Sequence, residues 1–265
     1  MRVPIFQVDA FTRVRFAGNP AAVMLLPSFL PDERLQAIAA ENNLAETAFL
    51  VRRDVSRDGD YDLRWFTPRV EVPLCGHATL ASAAVIMERF EPGCSRVVFH
   101  SASGPLTVKR EGDGYLMDFP ARPSHTVAPP SGLAEALGAE PLEVRVNEFN
   151  YMVLLESERR LRELAPDMTA LAGIGRPGVI VTAASDGDYD FVSRYFAPAK
   201  GIPEDPVTGA AHCMLAPYWA ERLGKKEFRA YQASARGGEV VCRLVNGRVE
   251  LQGGCAFYLE GEAEV

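Results

Sequence analysis

Tyr61-Asp62-Leu63-Arg64-Trp65-Phe66-Thr67-Pro68 returns later in the chain as Tyr189-Asp190-Phe191 and, after Val192-Ser193, as Arg194-Tyr195-Phe196-Ala197-Pro198. The step from Arg64 to Arg194 is 194 − 64 = 130, close to half of the 265 residues. The segments just downstream of the two copies also match in kind. The first is Glu71-Val72-Pro73-Leu74-Cys75-Gly76-His77-Ala78-Thr79-Leu80-Ala81, and the second Ile202-Pro203-Glu204-Asp205-Pro206-Val207-Thr208-Gly209-Ala210-Ala211-His212-Cys213. Each reads as a short loop with proline and acid, then a glycine, then small residues opening an apolar helix. Two linked elements repeated in the same order point to an internal duplication.

Working outward, strand-like runs bounded by Gly, Pro or Asp fall at 3–9, 21–26, 47–53, 61–66, 96–100, 105–110 and 115–119. In the second half they fall at 143–147, 150–156, 179–183, 189–196, 239–245 and 248–252. Helix-like stretches are 31–42, 78–90, 131–138, 158–172 and 210–223. Many strands and few helices per half predict an α+β fold in which each half wraps a curved sheet around one long apolar helix. Residues 78–87 are almost wholly apolar or small, as a helix buried on all sides requires. Pro123, Pro129 and Pro130 mark a linker, which divides the chain into 1–122 and 123–265, with the last strand free to cross back to the first half.

Composition narrows the function. With 28 basic and 35 acidic side chains the chain carries −7, and its Lys and Arg are scattered, so neither a nucleic acid nor an anionic membrane surface is an expected partner. The densest cluster, Glu158-Arg159-Arg160-Leu161-Arg162, reads as a solvated helix face. Five cysteines, an odd number without a CxxC pair, fit reduced thiols in a cytoplasm. The N-terminus alternates and soon reaches charge, so it reads as a first strand and not as a targeting peptide, and no apolar run is long enough to span a bilayer.

A strand that turns through glycine into a helix of small residues gathers free backbone N–H groups and the positive end of the helix dipole at one spot, which suits an anion. Two such turns, one per half, could hold a carboxylate or a developing enolate in a cleft with no metal or cofactor. Proton carriers near them are Cys75 and His77 in one turn, and Glu204, Asp205, His212 and Cys213 in the other. Glu46, immediately before an apolar strand, joins them; read alone it is equally a strand-end residue in water or a cap. Cys75 and Cys213 by default are small buried hydrophobes, and His100 and His125 find no partner in sequence. Cys75-x-His77 and adjacent His212-Cys213 lack the spacing of zinc ligand pairs, which argues against a metal.

Several of these segments carry a family likeness. Phe16-Ala17-Gly18-Asn19-Pro20, Asn43-Leu44-Ala45-Glu46-Thr47-Ala48-Phe49, Leu74-Cys75-Gly76-His77-Ala78-Thr79, Glu204-Asp205-Pro206-Val207-Thr208-Gly209 and Gln232-Ala233-Ser234-Ala235-Arg236-Gly237 resemble the PhzF-like (phenazine biosynthesis-like) proteins. That resemblance implies the diaminopimelate epimerase-like fold: two pseudo-symmetric domains, each a β-barrel-like sheet around a central helix, usually in a homodimer. It implies a cofactor-independent isomerase or epimerase that moves a proton next to the carboxylate of a small metabolite. Glu46 would be the general base and acid, His77 and Asp205 would position substrate or shuttle protons, and Asn19, Cys75, Gly76, Ala78, Thr208, Gly209 and Ala210 would line the substrate site. One departure bears on substrate: Ala210 stands where the family's isomerases carry a serine, which leaves a silent small-molecule binding or scaffold protein as the alternative. Pro206 stands where a two-thiol epimerase would carry its second cysteine.

Overall fold

The computed structural model describes residues 1–53 and 59–265. They form two compact units, Met1–Asp118 with Gln252–Val265, and Phe119–Leu251. The C-terminal strand therefore belongs to the first unit.

The first unit contains β1 (Arg2–Ala10), β2 (Asn19–Leu26), α1 (Asp32–Asn42), β3 (Glu46–Arg52), β4 (Asp60–Phe66), β5 (Glu71–Val72), α2 (Gly76–Val85), β6 (Arg96–Ser101), β7 (Gly104–Glu111) and β8 (Gly114–Pro120). The second contains β9 (His125–Thr126), α3 (Leu133–Leu137), β10 (Glu143–Val146), β11 (Asn150–Leu154), α4 (Glu158–Arg162), α5 (Met168–Ala172), β12 (Gly178–Ala184), β13 (Phe191–Ala197), β14 (Ile202–Asp205), α6 (Gly209–Leu223), β15 (Glu227–Gln232) and β16 (Gly238–Val245). Strand β17 (Arg248–Gly253) leads back to the first unit, where β18 (Cys255–Glu264) pairs along β1.

The duplication is visible in the pairing. In the first unit β1–β2 is antiparallel, β2–β3 parallel, β3–β4 antiparallel, β4–β6 parallel and β6–β7 antiparallel. In the second, β10–β11, β11–β12, β12–β13, β13–β15 and β15–β16 repeat that series in the same order. Each parallel crossover carries helix: α1 between β2 and β3, α4 and α5 between β11 and β12, α2 between β5 and β6, α6 between β14 and β15.

Helix α2 packs against the strands of its own unit. Every residue from His77 to Val85 is buried, and the helix packs against β1, β2, β3, β7 and β18. Alanines at 78, 81, 83 and 84 let the strands approach, while the Thr79 and Ser82 hydroxyls donate to the Cys75 and Ala78 carbonyls one turn back, so no buried hydroxyl is orphaned in this helix. After Val85 the helix widens into a π-turn, Ile86–Phe90, so the sequence expectation of helix over 78–90 holds with a change of pitch. On the outer face of the sheet, Leu35 and Ala39 of α1 close a cluster with Met24, Phe49 and Phe66. In the second unit Trp219 of α6 stacks on Phe191 of β13 at 5.4 Å and donates from Nε1 to Thr182 Oγ1 of β12.

Three expectations need correction. The helix expected over 158–172 is two short helices, because Pro166 cannot continue the first and Asp167 caps the second, accepting from the Thr169 and Ala170 N–H groups. His100 does have a partner: its Nε2 lies 2.7 Å from Asp60 Oδ1. Strands β14, β15 and β18 are elements that the sequence patterns above do not mark. Among the described residues no helix is long and apolar enough to cross a membrane.

Candidate active site

In the first unit, backbone geometry brings three of the expected residues together. Asn43, in the left-handed region at φ 47°, ends α1 and turns the chain into β3. Phe49 and Val51 pack in the outer cluster, so alternation along β3 turns Glu46, Ala48 and Leu50 to the opposite face, toward α2. The register Ala21↔Glu46 sets Asn19, two residues earlier on β2 and fully buried, on that same face. Gly18 holds the entry to β2 at φ +66°; a Cβ there would lie 2.2 Å from the Ala10 carbonyl oxygen, so only glycine fits.

Glu46 Oε2 is 3.0 Å from His77 Nε2, and Cys75 Sγ is 3.4 Å from His77 Nδ1. The imidazole thus stands between a carboxylate and a thiol. His77 is only 6% exposed. Although close, Glu46 Oε2 and His77 Nε2 lack the alignment of a hydrogen bond, and neither atom has another hydrogen-bond partner. Burial pushes the Cys75 thiol up to about 11, the Glu46 charge adds to that effect and His77 opposes it. For His77, burial disfavours the imidazolium, but the Cys75 sulfur and the Glu46 carboxylate outweigh it and hold the ring well above the usual imidazole range. With Cys75 a neutral thiol below about 11, the charge facing the ring near neutrality is that of Glu46.

Cys75 is the N-cap of α2, and its side chain does not cap the helix. The N–H groups of Gly76 and His77, in the first turn, therefore have no intrahelical partner. Ala78 is buried behind them.

The second unit builds its turn from a hydroxyl, an amide and the Asp205 carboxylate. Thr208 is the N-cap of α6 and Gly209 its first residue. The Thr208 hydroxyl donates to Asp205 Oδ2 at 2.5 Å, and the Thr208 N–H donates to Gln232 Oε1 at 2.9 Å. Gln232 Nε2 donates to the Asp205 carbonyl and to Thr208 Oγ1, and Ser234 Oγ donates to the Pro206 carbonyl. Gln232 and Ser234 thus fix the turn; both lie in the segment Gln232-Ala233-Ser234, whose positioning role spacing does not reveal. Ala210 follows Gly209 and presents an exposed methyl.

Matched element by element, the two turns differ in chemistry. Cys75 and Thr208 are the two N-caps; Thr79 Oγ1 and His212 Nδ1 each reach the N-cap carbonyl. That bond fixes the proton on His212 Nδ1, and burial pushes the ring down to about 4, so it stays neutral. By register the residue matching Glu46 is Gly178, the first of β12. A Cβ there would lie 2.2 Å from Asn150 Oδ1 and 2.4 Å from the Tyr195 hydroxyl. The position that carries the carboxylate in one unit is thus closed to any side chain in the other, and Ala210 matches His77.

A depression of about 570 Å³ on the first unit is lined by Phe29, Arg64, Glu71 and His100 among others, and includes none of Glu46, Cys75 and His77. Its charged groups are already paired, Arg64 with Asp32 and Glu71, Arg53 with Asp62, and His100 with Asp60.

Comparison with known proteins agrees with this architecture. The family model described as "Phenazine biosynthesis-like protein" matches residues 8–263. An uncharacterized isomerase of Pseudomonas aeruginosa is 52% identical over 261 residues, 98% of each chain. A crystal structure of a phenazine biosynthesis protein of the PhzF family from Enterococcus faecalis superimposes with a TM-score of 0.95 at 41% identity, covering 100% of both chains. A predicted epimerase from Pseudomonas aeruginosa shares the fold at a TM-score of 0.76 and 23% identity over 99% of each chain.

Proposed function

The chain belongs to the phenazine biosynthesis-like family, and from that premise we propose that it is an isomerase that moves a proton next to the carboxylate of a small metabolite, with Glu46 as general base and then acid. The observation that carries the reading is the Glu46–His77–Cys75 cluster, a buried carboxylate 3.0 Å from an imidazole that has no other hydrogen-bond partner at Nε2. A base must be close to the proton it takes and must hand it back in the same turnover. Glu46 takes the proton from carbon; the protonated imidazole of His77 faces the charge that the carbanion leaves behind. His77 therefore acts as the electrostatic partner and Glu46 as the carrier.

Substrate binding falls to the backbone. The free N–H groups at Gly76 and His77, at the positive end of α2, are assigned to the charge on the substrate, and Asn19, on the same face as Glu46, to orienting it. The proposed step invokes no cofactor: the substrate brings the carbon–hydrogen bond next to its carboxylate, Glu46 takes and returns the proton, and His77 with the N–H groups faces the charge. Ala210, whose methyl cannot donate, bears on which substrate fits rather than on the proton transfer.

The test uses the metal-free protein in deuterated buffer with an extract of small carboxylic acids, followed by mass spectrometry. The expected result is a gain of one mass unit in one or a few carboxylates. A ligand that raises the melting temperature of the protein yet takes up no deuterium would replace this reading with one of binding alone.

A further inference from the structure

We propose that Glu46, Cys75 and His77 form a binding site for a single divalent cation, with Zn²⁺ the best match to the donor set. Spacing alone argues against a metal, because it pairs Cys75 only with His77 and offers His212-Cys213 as the other half. The fold changes the set: β3 delivers Glu46 to the same spot, and one ligand atom from each of the three residues lies within 4.8 Å of the others. A thiolate, an imidazole and a carboxylate together are the donors zinc prefers, and three protein ligands leave a fourth position open.

One distance is close to that of a tetrahedral ion. With Zn–N and Zn–O each about 2.0–2.2 Å, the oxygen–nitrogen edge of a tetrahedron is about 3.4 Å, against 3.0 Å from Glu46 Oε2 to His77 Nε2. Cys75 Sγ lies 3.4 Å from the other ring nitrogen, Nδ1. Only one ring nitrogen can take the ion, so a turn of either Cys75 or Glu46 about its side-chain bonds completes the set. A second observation points the same way: Glu46 Oε2 and His77 Nε2 are buried, and neither makes a hydrogen bond. A metal lone-pair acceptor satisfies both atoms, which their mutual approach does not. Binding sends the Cys75 thiol proton and one His77 proton to buffer and places the Glu46 carboxylate on the ion. The consequence, which rests on the isomerase reading, is that occupation takes Glu46 out of proton transfer.

Cobalt is the probe, because Co²⁺ reports its own coordination, and the titration needs no substrate, so its result stands whether or not the isomerase reading does. Titrating Co²⁺ into the full chain is expected to give one equivalent of intense visible bands with a sulfur-to-cobalt charge-transfer band, displaced by Zn²⁺. Cys75→Ser should remove the charge-transfer band, Cys94→Ser should leave it, and His77→Gln and Glu46→Gln should each weaken binding at least about tenfold. Absence of the band in the natural protein, or its survival in Cys75→Ser, overturns the proposal. Should Cys75→Ser fail to fold, alkylation of Cys75 in the natural protein decides: Zn²⁺ should slow it at least about tenfold, and an unchanged rate refutes the site.

Discussion

His77 is where the charge balance of the first unit is decided. It is buried, and burial alone would keep it neutral, yet its raised affinity for a proton comes from the groups on either side. Replacing Glu46 by Gln removes the charge that faces the ring at neutral pH while keeping the side chain's shape. The ring is expected to be protonated at pH 7 in the natural protein and neutral in the variant; nitrogen-resolved NMR of the ring reports this directly, and an imidazolium persisting in Glu46→Gln would contradict the assignment. Stability inherits the same sign. His77 gains its proton partner on folding, so the stabilisation is fully present below about 6.5 and is lost as pH rises through the raised folded value. In Glu46→Gln that dependence should reverse, because burial, no longer opposed by the Glu46 charge, then holds the ring below its unfolded value. Glu46 could be singled out in sequence only through family resemblance, because an acid before an apolar strand is ordinarily a solvated strand end; its partner is 31 residues away in the chain and is brought near by the β3 register, which spacing cannot show.

At the scale of elements, the duplication reaches side-chain contacts. Arg64 forks onto both Glu71 oxygens and Arg194 onto both Glu204 oxygens, tying β4 to β5 and β13 to β14 just before each glycine turn. Their surroundings differ. The Arg194 side chain is 11% exposed and also donates to the Leu161 carbonyl in α4 and the Leu164 carbonyl just past it, whereas that of Arg64 is 24% exposed and its second acid, Asp32, is 74% exposed. Arg194→Ala should therefore cost on the order of 3 kcal/mol, since it strands a half-buried carboxylate and two carbonyls. Arg64→Ala should cost about 1 kcal/mol. Urea unfolding checks both, and equal losses would contradict the account. This repeat is legible because Arg-aromatic-Phe and the downstream glycine survive in both copies. Other elements are not. Strand β18 runs Tyr258-Leu259-Glu260-Gly261-Glu262 with exposed acids, so no apolar alternation marks it, and it becomes a strand only by pairing with β1. Strand β15 does alternate, with Phe228, Ala230 and Gln232 buried, but small Ala230 and polar Gln232 on its inner face mute the contrast.

Over the whole chain the duplication kept the topology and divided the chemistry. The first unit holds a carboxylate, an imidazole and a thiol. The second holds a hydroxyl–amide network around the Asp205 carboxylate, and a glycine, Gly178, where Glu46 would be. At a net charge of −7, any anion the chain meets has to be held locally, by backbone N–H groups and a few directed side chains. The fold, including the repeat, could be read from sequence because it rests on patterns that recur; the division of labour could not, because it rests on which residues face α2 and α6. The central claim is that Glu46 carries the proton. Its most direct test compares the natural protein with Glu46→Gln for deuterium uptake into the carboxylate metabolite that the natural protein labels. The account predicts that uptake falls at least about 100-fold in Glu46→Gln, the scale expected for loss of a general base; labelling at the natural rate in that variant would contradict it.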